Sequence, residues 1–216
     1  LMQVMTLVAM EPPVEFTADA VRDEKIKVLR AVRPVDSESV KQQAVAAQYG
    51  SGQAGDESLK AYVAEDDVSA ESVTETFAGV RFHIDNWRWQ GVPFILWTGK
   101  RLPKRVSEIV IRFKKPPFNL FDTHATAPTA NSLVFRVHPD EGIAYGYYMS
   151  EGVRVEITIY HTPTDATGVV LGVWDDELNP IEYIIDNNQD GYAHFPSSGT
   201  YTIPEDGEYY LFVGAL

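Results

Sequence analysis

Four cations stand within the eight residues TGKRLPKR: Lys100, Arg101, Lys104 and Arg105. A Lys and an Arg at this spacing can fix an anionic group, Lys as a compact point charge and Arg through a planar fork of donors. A basic turn is also an ordinary solvated feature, and the residues alone favour that plainer reading. Asp186, Asn188, Asp190 and Gly191 fit the start of a calcium loop, in which alternating oxygens face one ion and Gly allows the sharp bend. The twelfth loop position is Ser197 rather than Glu and the flanks read as strands, so a polar hairpin turn fits better. Asp175, Asp176 and Glu177 read as an acidic turn between strands. No metal site is therefore expected, and the absence of cysteine excludes disulfides and thiolate ligands.

These residues need elements to position them, and the pattern of apolar residues supplies two kinds. Leu1, Val4, Met5 and Val8 recur at helical spacing until Pro12-Pro13 stops them. A second helix carries Val21, Val28, Leu29 and Val32 on one stripe, can be capped by Thr17 or Asp19, and ends at Pro34. Residues 50–73 are polar and contain Gly, which reads as an irregular connection. The period then changes to two: Ala78, Val80, Phe82 and Ile84 alternate with Gly79, Arg81, His83 and Asp85. Val92 to Thr98 is an apolar run suited to a central strand, and Ile109, Ile111, Phe113 and then Leu133, Phe135, Val137 give two more strands. Trp87, Trp89 and Phe94 read as core and sheet packing. After residue 150 only strand signals remain, at Val153 to Ile159, Val169 to Trp174, Ile181 to Ile185, Thr200 to Ile203 and Glu208 to Val213, punctuated by Asn-Pro, Asp-Gly and Ser-Gly turns. The expected fold is α+β: two N-terminal helices packed on an antiparallel sheet, followed by an all-β, sandwich-like tail.

The 216 residues carry a net charge of −13, spread unevenly. Residues 1–144 hold 17 Lys and Arg against 19 Asp and Glu, whereas residues 145–216 hold only Arg154 against 12 acids. This shift predicts two regions of different origin, 1–144 and 145–216. An acidic chain of this kind argues against nucleic acid or an anionic membrane as partner. Neither a membrane-spanning run nor a signal peptide is visible, and the lack of cysteine favours the cytoplasm. Because Leu1 to Met10 already reads as the inside of a helix, the start of the chain is read as a cut or an assembly edge.

Several segments resemble the glucose-6-phosphate dehydrogenase family: LMQVMTLVAMEPP (1–13), VRDEKIKVLRAVRP (21–34), AQYG (47–50), TETFAGVRFHIDNWRWQGVPF (74–94), TGKRLPKR (98–105), EIVIRF (108–113) and NSLVFRVHPDEGI (131–143). They follow the family's order and approximate spacing across residues 1–143. The resemblance implies an α+β C-terminal domain whose antiparallel sheet carries part of the sugar-phosphate site and the contact between subunits in a homo-oligomer. It implies NADP-dependent oxidation of glucose 6-phosphate to the lactone. Lys100 matches the lysine that contacts the substrate in this family, and Arg105 the basic residue that does likewise. His138 sits where the family usually has a Gln that helps bind the sugar; a neutral imidazole donates one hydrogen bond but cannot donate and accept through one amide plane. Arg136 matches an arginine that in some members helps hold a second, structural NADP, although Trp97 stands where those members have Arg.

Hydride transfer in the family needs a nucleotide-binding βαβ unit with a Gly-rich turn and a general-base His beside a Tyr-Leu-Gly-Lys-Glu run. Neither is present, and none of His83, His124, His138, His161 or His194 lies in a matching context. No catalytic residue is therefore assigned, and the chain is expected to be a fragment that does not turn over alone. The stretch SSGTYTIPEDGEYYLFV (197–213) resembles the last strands of secreted bacterial β-sandwich modules. The competing expectation is thus a non-enzymatic β-sandwich module, binding calcium or carbohydrate, fused to a dehydrogenase remnant.

Overall fold

The computed structural model describes residues 1–54, 57–102, 104–115, 130–138, 141–149, 151–160, 169–186, 192–197 and 199–215. Positions 188, 190 and 191 of the candidate calcium loop, with His124 and His161, lie outside the described residues. The chain divides into two compact units, Leu1–Pro103 and Lys104–Leu216.

The first unit opens on helices α1 (Met2–Ala9) and α2 (Ala18–Ala31). Thr17 caps α2, its hydroxyl accepting from the Ala20 backbone N–H at 3.3 Å. A one-turn helix, α3 (Val40–Gln43), leads into β1 (Ala44–Ala47), and the polar stretch that follows forms a small hairpin, β2 (Gly52–Ala54) with β3 (Glu57–Leu59). Strands β4 (Phe77–His83) and β5 (Pro93–Gly99) complete an antiparallel sheet of order β1-β4-β5. The alternation in β4 sends Val80, Phe82 and Ile84 to one face. There Ile84 packs with Ala9 and Val28 of the two helices, ringed by Met10, Val32, Trp89 and Phe94. The Trp89 indole donates to the Ala9 carbonyl at 2.9 Å and meets Phe94 edge-on at 5.1 Å, so these two aromatics do pack in the core. Trp87 does not, its side chain being fully exposed.

Two bidentate ion pairs tie the helical segment to the β4 end. Arg33 donates to both Asp85 oxygens at 3.1 and 2.6 Å, and Arg88 to both Glu11 oxygens at 2.7 and 2.6 Å. Hydrogen bonding to each guanidinium holds the Asp85 and Glu11 carboxyls below their ordinary range. The apolar run expected to be a central strand, β5, is an edge strand, and β4 is central. Ile95 and Trp97 on the face away from the helices are 61% and 57% exposed.

The second unit is built on a six-stranded antiparallel sheet of order β12-β11-β15-β8-β7-β6. Its strands are β6 (Ser107–Arg112), β7 (Ser132–His138), β8 (Gly142–Met149), β11 (Val169–Trp174), β12 (Pro180–Asp186) and β15 (Gly207–Ala215). Two short pairs, β9 (Arg154–Val155) with β14 (Tyr201–Thr202) and β10 (Ile157–Tyr160) with β13 (Tyr192–Phe195), complete it. Val155, Ala193, Phe195 and Ile203 from these segments pack with Leu171, Val173, Met149 and Tyr209 of the large sheet in one core. The opposite face carries a second core of Val134, Ala144, Trp174, Tyr210 and Phe212. Each large side chain so buried contributes roughly 1.5–3 kcal/mol.

A few helices over mostly antiparallel sheets make the fold α+β. The division between units falls at Pro103/Lys104, and the position expected from the charge shift, 144/145, instead lies inside β8. Strand β8 pairs β7 on one side and β15 on the other, so residues before and after 144 share one ladder. Gly142 and Gly146 hide this strand in the sequence, because Gly weakens a strand pattern. In the fold they make room for aromatic rings. A Cβ on Gly146 would overlap the Tyr210 ring, and one on Gly142 the Phe212 ring. Gly146→Ala is expected to lower unit 2 stability by about 1–3 kcal/mol, the usual cost of overpacking a tight core. A fall in the urea midpoint with an unchanged slope checks this.

Candidate functional site

The four cations of TGKRLPKR have different fates. Arg101 follows the end of β5 in the left-handed region, φ 52°, where few non-Gly residues sit. Its guanidinium is committed to an ion pair with Glu65 and lies over the Tyr49 ring, 5.2 Å from the centroid. Tyr49 is itself held edge-on by Tyr62 at 5.6 Å, and its hydroxyl donates to Glu65 at 3.4 Å. Lys104, in the second unit, donates to the Glu177 carbonyl and, at 3.2 Å, to Asn179 Oδ1.

Lys100 and Arg105 are the other two. Lys100 is fixed through its backbone, whose N–H donates to the Thr76 carbonyl at 2.8 Å. Its ammonium is exposed and makes no ion pair or side-chain hydrogen bond among the described residues. Arg105 is likewise exposed and unengaged among the described residues. Lys100 and Arg105 are thus the two cations of this segment that no acceptor engages among the described residues.

Within the second unit, Arg105 and His138 come to the same end of the β6–β7 pair. His138 is registered opposite Ser107, two residues after Arg105, across a bulge between Ser107 and Glu108. The bulge adds local twist and re-aims the strand end. The His138 side chain is exposed, with no hydrogen-bond partner among the described residues. An anion and the polar groups beside it could be held at this end. Lys100 belongs to the first unit.

Arg136 is in a different setting. It is registered against Glu108 and Gly142, its Nε donates to Glu108 Oε1 at 2.9 Å, and its guanidinium lies 5.7 Å from the Phe212 centroid. Both side chains are largely withdrawn from water, at 13% and 17% exposure. An apolar concavity of about 660 Å³ opens beside it, lined by Ile109, Phe135, Ile143, Val169 and Val213, and it includes none of Lys100, Arg105 and His138. Three anchors escaped sequence reasoning: Glu65 with Tyr49 for Arg101, Glu108 for Arg136, and the 175–179 turn for Lys104. Only Glu108, in step with Val110 along the alternating strand β6, had a readable signal, through its cross-strand position to Arg136. No group of three or more His, Asp or Glu that could hold a metal ion occurs among the described residues, and no helix there is long and apolar enough to cross a membrane.

The family model for the glucose-6-phosphate dehydrogenase C-terminal domain matches residues 1–163. The glucose-6-phosphate 1-dehydrogenase of Zymomonas mobilis is 45% identical over 151 residues, which is 70% of this chain and 31% of that protein. That of Bacillus subtilis is 43% identical over 143 residues, 66% of this chain and 29% of that protein. The crystal structure of the Mycobacterium avium enzyme superposes with a TM-score of 0.57 at 36% identity, covering 69% of this chain and 30% of that one. A glucose-6-phosphate dehydrogenase in complex with its substrate glucose 6-phosphate gives a TM-score of 0.58 at 37% identity, with 69% and 29% covered. The chain thus spans about 30% of the length of the curated relatives it matches.

Because the Arg136–Glu108 pair is mostly withdrawn from water, Arg136→Ala leaves a carboxylate without its partner and is expected to cost about 1–3 kcal/mol of unit 2 stability. Denaturant unfolding without any nucleotide checks this; an unchanged midpoint would leave Arg136 without a structural role.

Proposed function

The chain belongs to the glucose-6-phosphate dehydrogenase C-terminal domain family, and from that membership we propose that it contributes part of the sugar-phosphate site of an NADP-dependent glucose-6-phosphate dehydrogenase. Lys100 and Arg105 are the cations that hold the phosphate dianion, and His138 donates a hydrogen bond to the sugar. The observation that carries this reading is the sorting of the basic turn: Arg101 and Lys104 have acceptors of their own, while Lys100 and Arg105 have none among the described residues. A charge-assisted contact is about twice as strong as a neutral one, so a Lys and an Arg with no acceptor of their own are the groups a dianion would find.

NADP, when bound, accepts the hydride removed from the sugar. The residues here do not fit a nucleotide site. Arg136 is paired with Glu108 and stacked on Phe212, and Trp97 replaces the arginine that some relatives have. With no Gly-rich nucleotide turn and no matching general base in the sequence, the chain alone binds substrate without oxidising it. Association of copies through the unit 1 sheet is supported by Ile95 and Trp97, whose apolar surface faces outward.

The tail from 145 onward is read as an acidic, sandwich-like module of separate origin. That reading is supported by the charge shift and by the core shared between the short strand pairs and the large sheet. The family match runs on to residue 163 and so does not support a change of origin at 145, and in the fold β8 spans that position. The competing reading is a non-enzymatic module binding calcium or carbohydrate, and no group of three or more His, Asp or Glu that could hold a metal ion occurs among the described residues to favour its calcium form.

Thermal unfolding with glucose 6-phosphate tests the proposal, since a ligand bound only by the folded state must raise the midpoint. At a ligand concentration about ten times the dissociation constant the expected stabilisation is about 1.4 kcal/mol, a rise of about 3–6 °C. The rise should vanish in the Lys100→Ala, Arg105→Ala double variant. No rise in the parent chain, or an equal rise in the double variant, would overturn the assignment. Added NADP should give no measurable product.

A further inference from the structure

The turn that engages Lys104 lies outside the family match. It joins β11 to β12 over residues 175–179, whereas the match ends at residue 163. Asp175 organises it: Oδ1 accepts the backbone N–H groups of Glu177 at 3.0 Å and Asn179 at 2.7 Å, and Oδ2 accepts the Asn179 amide at 3.0 Å. Backbone bonds from Asp175 N–H to the Asn179 carbonyl and from Leu178 N–H to the Asp175 carbonyl, both 3.0 Å, close the ring. Leu178 sits in the left-handed region at φ 61° and packs against the core of Trp174 and Phe212. The turn is therefore rigid and anchored. Partial burial raises the Asp175 pKa, but hydrogen bonds from Asn179 and Glu177 and the charge of Lys104 outweigh it, so the carboxyl stays ionised below its ordinary value.

Two oxygens of this turn, the Glu177 carbonyl and Asn179 Oδ1, take the Lys104 ammonium. Both are uncharged acceptors, so they fix the ammonium in place without pairing it directly with a carboxylate. Arg105 is the next residue along the chain.

We propose that the 175–179 turn is a clamp that holds Lys104 and through it sets the position of Arg105, so that sugar-phosphate binding in this chain depends on its tail. The second half of that statement rests on the function proposed above; the first does not. Lys104 and Asp175 are positioning residues, since neither is assigned a contact with the sugar phosphate.

The test combines two readouts on the full chain and its Asp175→Ala and Asp175→Asn variants. The first is the rate of tryptic cleavage at the Lys104–Arg105 bond, followed by mass spectrometry. Cleavage after Arg136, in the middle of β7, reports general unfolding of the unit. The second is the affinity for glucose 6-phosphate by titration calorimetry. Loss of the Asp175 acceptors frees Lys104, and a bond network of this kind protects a segment about tenfold. Asp175→Ala should therefore speed cleavage at Lys104–Arg105 about tenfold, leave the Arg136 site unchanged and weaken sugar-phosphate binding about five- to tenfold. Asp175→Asn, which keeps one acceptor oxygen for the backbone, should restore both to within about twofold. Unchanged cleavage at Lys104–Arg105, or acceleration shared by the Arg136 site, overturns the clamp. Selective acceleration with unchanged affinity overturns the link from Lys104 to Arg105. If the parent chain does not bind glucose 6-phosphate, the proposed function fails and the cleavage rates alone decide the clamp.

Discussion

The ladder between β8 and β15 is the interaction on which the second unit depends. Residues Gly142 to Met149 pair in unbroken antiparallel register with Gly214 to Gly207, and β8 pairs β7 on its other side. Remove that ladder and the strands matched to the family lose their neighbour, while β11 and β12 lose their route into the sheet. Its close fit comes from small residues facing large ones: Gly146 beneath Tyr210, Gly142 beneath Phe212. Bare backbone under a ring is a way for a sheet to keep both its hydrogen bonds and a packed face. The two cores on opposite faces then bury the alternating residues of β15, with Tyr209 in one and Tyr210 and Phe212 in the other.

This ladder has an electrostatic consequence. It places an acidic tail in the same folding unit as Lys104 and Arg105, where indiscriminate pairing would cancel the charge a phosphate ligand needs. The fold avoids this by using its acids locally. Asp175 turns inward onto the backbone of its own turn, and the oxygens offered to Lys104 are neutral. In the first unit Glu65 answers Arg101, and Asp85 and Glu11 answer Arg33 and Arg88. What remains of the basic turn, Lys100 and Arg105, is the pair that the family resemblance singles out.

Much of this was legible in the residues. Proline stops and helical spacing located α1 and α2, and two-residue alternation located β4, β6 and β7; in β7 the buried residues are Ser132 and Val134, while the apolar stripe of Leu133, Phe135 and Val137 stays partly exposed. The apolar run of β5 misled, since Ile95 and Trp97 face outward and an exposed apolar face reads like a buried one. Strand β8 was unreadable because its glycines erase the alternation, and β13 because Tyr192 to Phe195 is short. At the candidate site, the identity of Lys100 and Arg105 came from resemblance. Their lack of partners could not, because Glu65 and the 175–179 turn are 36 and 73 residues away from the cations they take.

The central claim is that Lys100 and Arg105 hold a sugar phosphate, with His138 beside Arg105. Titrating a ¹⁵N-labelled chain with glucose 6-phosphate and following backbone amide shifts tests it most directly. The account predicts saturable shifts concentrated at Lys100, Arg105, Ser107 and His138. Shifts confined to residues 169–215, or none at millimolar ligand, would contradict it.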